Sequence, residues 1–306
     1  MNTHRLPVSE RAIELGPGQL IDWAVTGPQR CVGVARDGVC RTGGGPTLPG
    51  QIGRGPTGPG QIVRGQCPTC RSLGVYNMCI ACDGYRCDSL QRTNELVDFC
   101  ARPRALYLAR FGAGFTKVGT SLLSRVVQRL DEQGPVAALV VAHGPGPRVK
   151  RAEADLVASA DTVAGETVGS VRHEQRRALL RSDVDAAAEL ARLLGMGGEV
   201  AATIAAHDLE WAPSAWEPTP NHVNARAARP TEALLIDHRS TTRILGVVVG
   251  VSGTTAVVAD SAGVFTVDLS ALLGTTLTVT SPEDAAAGVT EPPPPSVRTG
   301  VQLQFP

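Results

Sequence analysis

Eight cysteines have the most chemically telling spacing in the chain. Cys31, Cys40, Cys67, Cys70, Cys79, Cys82, Cys87 and Cys100 all precede residue 101. The run Cys67-x2-Cys70-x8-Cys79-x2-Cys82 is that of paired metal knuckles. Two thiolates three positions apart on a tight turn can both reach a Zn²⁺ at about 2.3 Å, and two such pairs complete a tetrahedron. The opening MNTHRLPVSERAIELG has no apolar signal core, so metal ligation is expected rather than disulfides. Eight thiols can fill two four-cysteine sites. The preferred grouping is Cys31, Cys40, Cys67 and Cys70, then Cys79, Cys82, Cys87 and Cys100. Four thiolates leave no open position, so such a zinc would be structural. One zinc with spare thiols and an iron–sulfur cluster are the alternatives.

The cations form the second signal. Lys117 and Lys150 are the sole lysines among 29 Lys+Arg, which match 29 Asp+Glu. Lys, unlike Arg, can lose its proton, so each is worth following. The charge is unevenly spread: residues 101–151 hold nine basic groups against Asp131 and Glu132, whereas 231–306 hold three Arg and seven acids. A basic block inside a neutral chain suits either a polyanion-facing surface or a solvated face.

Elements must position these groups. Residues 105–110 (ALYLAR) alternate as a strand, 111–115 (FGAGF) turn, and 116–119 (TKVG) return as a second strand of a hairpin. Thr120 or Ser121 can cap a helix whose Leu122, Leu123, Val126, Val127 and Leu130 recur at helical spacing up to Gly134. Residues 135–144 read as a buried strand. A second helix, from about Arg148 to Ala160, carries Glu153.

This order resembles the GIY-YIG nuclease superfamily over about 104–160. Ala105-Leu106-Tyr107 stands where GIY would be and Lys117-Val118-Gly119 where YIG would be. Leu122-x-x-Arg125, with Arg129 one turn on, resembles the Leu-x-x-Arg of the first helix, and Ala152-Glu153-x-x-Leu156 the later Glu helix. The Cys-rich front, Lys117 to Gly134 and a small β tail together resemble an uncharacterised bacterial Cys-rich family related to that superfamily, over about 28–280. The resemblance implies phosphodiester hydrolysis. Glu153 would hold one Mg²⁺ or Mn²⁺, which stabilises charge on the scissile phosphate. Tyr107 would orient or deprotonate the attacking water, and Arg125 or Arg129 would grip the phosphate. Gly119 would permit close approach, with Thr120 and Gln133 as further substrate contacts. Lys117 replaces the Tyr of YIG; with a depressed pKa it would be a base, and when charged a phosphate ligand.

The expected fold class is α+β. It comprises an N-terminal zinc-binding module (1–100), a GIY-YIG-like domain with a small antiparallel sheet, flanking helices and a helical extension (101–210), and a linker (211–230). A small β-barrel (231–281) and a disordered tail (282–306) follow. Within the first module, 45–54 and 55–64 are a direct repeat matching at eight of ten positions, rich in Gly and Pro and assigned no chemistry. The barrel resembles OB or SH3-like modules and could take a protein partner. The chain has no apolar run near the roughly 18 residues of a membrane span, so a cytoplasmic protein with no membrane partner is expected. DNA or RNA is the expected ligand. The alternatives are nucleic-acid binding without cleavage and a fold turned to small-molecule chemistry on Lys117.

Overall fold

The computed structural model describes residues 15–26, 31, 67, 70, 82–85, 94–112, 115–159, 167–168, 180, 183–230, 232–234, 236, 241–273 and 275–279. The repeat at 45–64, the Arg-rich stretch 170–179, the tail after 281, and Cys40, Cys79 and Cys87 lie outside them. No helix among the described residues is long and apolar enough to cross a membrane. The fold is mixed α+β, with two sheets among the described residues. It divides into two compact units, Val75–Arg229, and Met1–Gly74 together with Pro230–Phe305.

Strand β1 (Leu20–Thr26) belongs to the second unit. Among the described residues of the central unit, the first regular element is helix α1 (Asn94–Ala101), followed by strands β2 (Pro103–Arg110) and β3 (Phe115–Leu122). A 3-10 turn (Leu123–Arg125) leads into helix α2 (Val126–Gln133), strand β4 (Ala137–Pro145) and helix α3 (Gly146–Ala158). Strand β5 (Thr167–Val168), helices α4 (Ala186–Gly195) and α5 (Gly197–Ala206), strand β6 (Ser214–Ala215) and helix α6 (Pro220–Ala227) follow among the described residues. The sheet order is β5-β3-β2-β4-β6. Every pairing in it is antiparallel except β3 with β5.

The sheet is covered on both faces, which is why β2 is apolar almost throughout rather than alternating. Leu106 and Leu108 pack with Val149, Ala152 and Leu156 of α3 and with Leu193 and Ile204 of α4 and α5. Ala105, Tyr107 and Ala109 pack with Val126 and Leu130 of α2 and with Trp216. Arg110, wholly buried, is tied to Glu189 on α4 and to Thr116.

The central unit departs from the sequence expectation at two places. Thr120 and Ser121 do not cap a helix: β3 runs on to Leu122, because Thr120, Ser121 and Leu122 pair with Leu106, Ala105 and Arg104 across the hairpin. The helix starts only at Val126, with Val126 and Leu130 buried and Leu123 and Val127 exposed. Residues 211–230 are not a linker. Ser214 and Ala215 pair with β4, Trp216 is buried in the core, and α6 is capped by Thr219.

The second unit is a six-stranded sheet in the order β11-β1-β8-β9-β10-β7. Its further strands are β7 (Glu232–Leu234), β8 (Thr242–Ser252), β9 (Thr255–Ala259), β10 (Val264–Asp268) and β11 (Thr276–Val279). Pairing of β1 with β8 and β11 draws the N-terminal segment out of a contiguous 1–100 module. The physical reason is burial: Ile21, Trp23 and Val25 share a core with Ile244, Val248, Val258 and Leu277. Among the described residues the end strands β7 and β11 do not pair with each other.

Candidate functional site

Tyr107 and Gly119 are direct partners across the hairpin. A Cβ on Gly119 would lie 2.5 Å from both Cζ and the hydroxyl of Tyr107, so the phenol lies over a position that only glycine fits. Lys117 is two residues earlier on the same strand face. Its Nζ donates to Gln133 Oε1 at 2.9 Å, and Gln133 Nε2 donates to the Tyr107 hydroxyl at 2.6 Å. Gln133 ends α2 and is buried. Gly134 follows in the left-handed conformation (φ 63°, ψ 51°), its N–H bonded to Leu130 O. That glycine C-cap is what allows the helix to stop with Gln133 turned inward.

Burial pushes the Tyr107 phenol above its usual value, and the charge of Glu153 adds to this; the Gln133 hydrogen bond and the Arg129 guanidinium oppose it. A phenol raised from 10 is protonated at neutral pH, so Tyr107 is suited to orienting a water or phosphate oxygen rather than to taking a proton.

Thr120 points to the other face, where α3 packs. Its hydroxyl donates to Glu153 Oε2 at 3.0 Å, and Lys150 Nζ lies 3.5 Å from the same oxygen. Among the described residues β5 pairs with β3 only at Phe115 and Thr116. From Lys117 onward the outer edge of β3 is therefore bounded by two small polar groups, Tyr107–Gln133–Lys117 on one face and Thr120–Glu153–Lys150 on the other. Both lysines of the chain are in them.

Arg125 and Arg129 are exposed and share Glu132, at 3.0 Å and 3.3 Å. Arg125 sits before the helix, at its N-cap with φ −123°, and also donates to Gln128. Arg129 is the one whose charge reaches Tyr107. Glu153 is in no group of three or more ligand side chains: among the described residues the one such group is Cys31, Cys67 and Cys70.

In that group the sulfurs lie within 4.8 Å of one another, and Cys67 and Cys70 are buried. The Cys67 N–H donates to Cys31 Sγ at 3.2 Å and the Cys70 N–H to Cys67 Sγ at 3.5 Å. Amide donors on sulfur stabilise thiolates, and converging buried thiolates can hold a metal ion. Cys82 and Cys100 belong to the other unit and are not part of this cluster. Cys82 Sγ accepts from the Gly84 N–H at 3.3 Å, and Cys100 packs with Leu96.

Lys150 stood out in the sequence by its rarity but had no site role there. Sequence reasoning passed over a Tyr85–Asp155–His207 group, in which the Tyr85 hydroxyl donates to Asp155 Oδ2 at 2.7 Å and His207 Nε2 lies 2.8 Å from the same oxygen. No periodicity or spacing links those three residues.

Comparison with protein-family models, curated proteins and solved structures finds no match to this chain.

Proposed function

We propose that the edge of β3, with α2 and α3, is a phosphodiester-processing site of GIY-YIG type acting on nucleic acid with Mg²⁺ or Mn²⁺. One observation carries this reading. Residues from two helices, Gln133 and Arg129 of α2 and Glu153 of α3, converge on the phenol of Tyr107 in β2, over Gly119 of β3, with Glu153 opposing the effect of the other two on its titration. In this reading Arg129 grips the phosphate, Tyr107 orients the water, and Lys117, already an acceptor-seeking ammonium on Gln133, adds positive charge. Glu153 would hold the divalent ion, which supplies charge stabilisation at the leaving oxygen. The Cys31, Cys67 and Cys70 cluster would be a structural zinc centre, with Cys40 as the fourth ligand. The six-stranded sheet would be a small β-barrel that can take a protein partner, its groove of about 290 Å³ lined by Leu234, Leu245 and Phe265.

One observation favours binding without cleavage: Lys150 already lies 3.5 Å from the Glu153 carboxylate and competes with a cation there. The same experiment separates the two readings. Labelled single-stranded, duplex and branched DNA and RNA are incubated with the protein in Mg²⁺ or Mn²⁺, beside Glu153→Gln. Metal-dependent cutting that is lost in the variant is the expected result. Salt-sensitive binding with no cutting in either protein replaces the nuclease reading with the binding one, and absence of both overturns the two together.

A further inference from the structure

Arg104, the second residue of β2, is only 6% exposed, and its Nη2 is buried with no hydrogen-bond partner. Among the described residues no carboxylate pairs with it. Its guanidinium lies 5.1 Å from the centroid of the Phe99 ring of α1, and that of the exposed Arg102 lies 5.8 Å from the same ring. Buried charges are normally paired, and a cation–π contact offsets only part of the desolvation. A planar guanidinium left short of acceptors fits an oxyanion, which it binds through two parallel N–H donors.

The strand register places this group. Arg104 is opposite Leu122, and Leu106, two residues on, is opposite Thr120, whose hydroxyl holds Glu153. Arg104 and Leu106 share a strand face and are about 6.8 Å apart along the strand. Arg104 is thus one alternate position along β2 from the residue that faces Thr120, a short range of the kind over which an extended nucleic-acid strand presents successive phosphates. The surplus of positive charge in 101–151 favours the same ligand.

We propose that Phe99, Arg102 and Arg104 form a subsite for the phosphate neighbouring the one held at Tyr107 and Glu153, in a single strand of nucleic acid. The proposal rests on the phosphodiester reading above. Arg104 supplies the fork, Phe99 holds it flat, and Arg102 turns in from solvent to close on the oxyanion.

The test uses inorganic phosphate and a fluorescein-labelled single-stranded ten-nucleotide probe, with wild type, Arg104→Met and Arg104→Lys. Melting temperature is read with and without phosphate, and probe binding by anisotropy over a salt series. Arg104→Met, which removes an unpaired buried charge at similar volume, is expected to melt no lower than wild type. It should lose the phosphate-dependent rise in melting temperature and bind the probe at least tenfold more weakly, with Arg104→Lys in between. If Arg104→Met does not fold, exposed Arg102→Met serves instead, with a threefold loss and a shallower salt slope expected. Probe binding at the wild-type level in the folded variant overturns the subsite and leaves the phosphodiester reading standing. Phosphate protection that depends on Arg104 without any probe binding overturns the strand reading and makes the group a free-phosphate site.

Discussion

The two sheets treat polar residues in opposite ways. In β2 every residue from Arg104 to Arg110 is buried, because helices cover both faces of the central sheet. In β8 exposed and buried positions alternate over its first half, and even Leu245 and Val247 are left more than a third exposed. A polar group on the outer face of β8 costs almost nothing, since water satisfies it. A polar group in β2 must find a partner inside, so Tyr107, Arg110 and Arg104 each call for an explanation. Tyr107 has Gln133, Arg110 has Glu189 and Thr116, and Arg104 has an aromatic ring. Polar residues inside the doubly covered sheet therefore separate candidate chemistry from solvated surface better than charge counts do.

The contrast breaks first on core truncation. Leu108→Ala, in the doubly covered sheet, is expected to cost about 3 kcal/mol, and Val247→Ala, on the open face, within about 0.5 kcal/mol. Denaturant melts of the two variants check this; equal losses would show that the faces are not differently packed.

A pH series comes next. His222 of α6 is buried against Trp216, and burial, with the charge of Arg226, pushes its pKa down to about 4, against a weaker raising effect from the Pro135 backbone. The folded value lies below the unfolded 6.5, so the fold favours neutral imidazole. Its contribution is complete above pH 6.5 and is lost as pH falls towards 4, on the order of 3 kcal/mol. His222→Gln should flatten that part of the stability curve; an unchanged slope assigns the loss to other groups.

Gln133→Leu is a smaller test, of the site itself. It removes the donor on the Tyr107 hydroxyl and the acceptor of Lys117, for an expected loss of about 1–2 kcal/mol. Because Gln133 lowers the phenol's pKa, Tyr107 should titrate still higher in the variant, read from tyrosinate absorbance. The smallest effect is expected in the other unit. Arg243 donates through Nε and Nη2 to the two carboxylate oxygens of Asp22, both at 2.9 Å, but remains largely exposed. Arg243→Ala should cost less than about 1 kcal/mol, and less still in high salt.

Local pattern revealed the hairpin, the strand within 135–144 and the helix bearing Glu153, because each announces itself within a dozen residues. The end of β3 was hidden because Thr120 to Leu122 suit a cap or a strand equally, and only pairing with β2 decides. Trp216 looked like part of a linker because prolines surround it, yet an indole that large stabilises a core wherever it can enter one. At Gln133 the sequence showed a helix end and a glycine cap, but not that the amide would bridge Lys117 to Tyr107. That bridge depends on three elements meeting. The burial of Arg104 was invisible for the same reason, and arginine is ordinarily a surface residue. Of the three described cysteines that converge, Cys67 and Cys70 were legible by type and spacing, whereas Cys31, 36 positions upstream of Cys67, was legible by type alone.

The place of β1 has a consequence during synthesis. Asp22 and its partner Arg243 are separated by 221 positions. At ordinary elongation rates the ribosome takes roughly 10 to 45 s to cover that interval. For all of it, Ile21, Trp23 and Val25 have neither β8 nor β11 to pair with, and the whole chain of the central unit is made in the meantime. The newborn protein thus carries an unsheltered apolar strand through most of its translation. A ribosome that stalls before Thr242 would release a chain whose first strand has no sheet to join, a natural target for a holding chaperone.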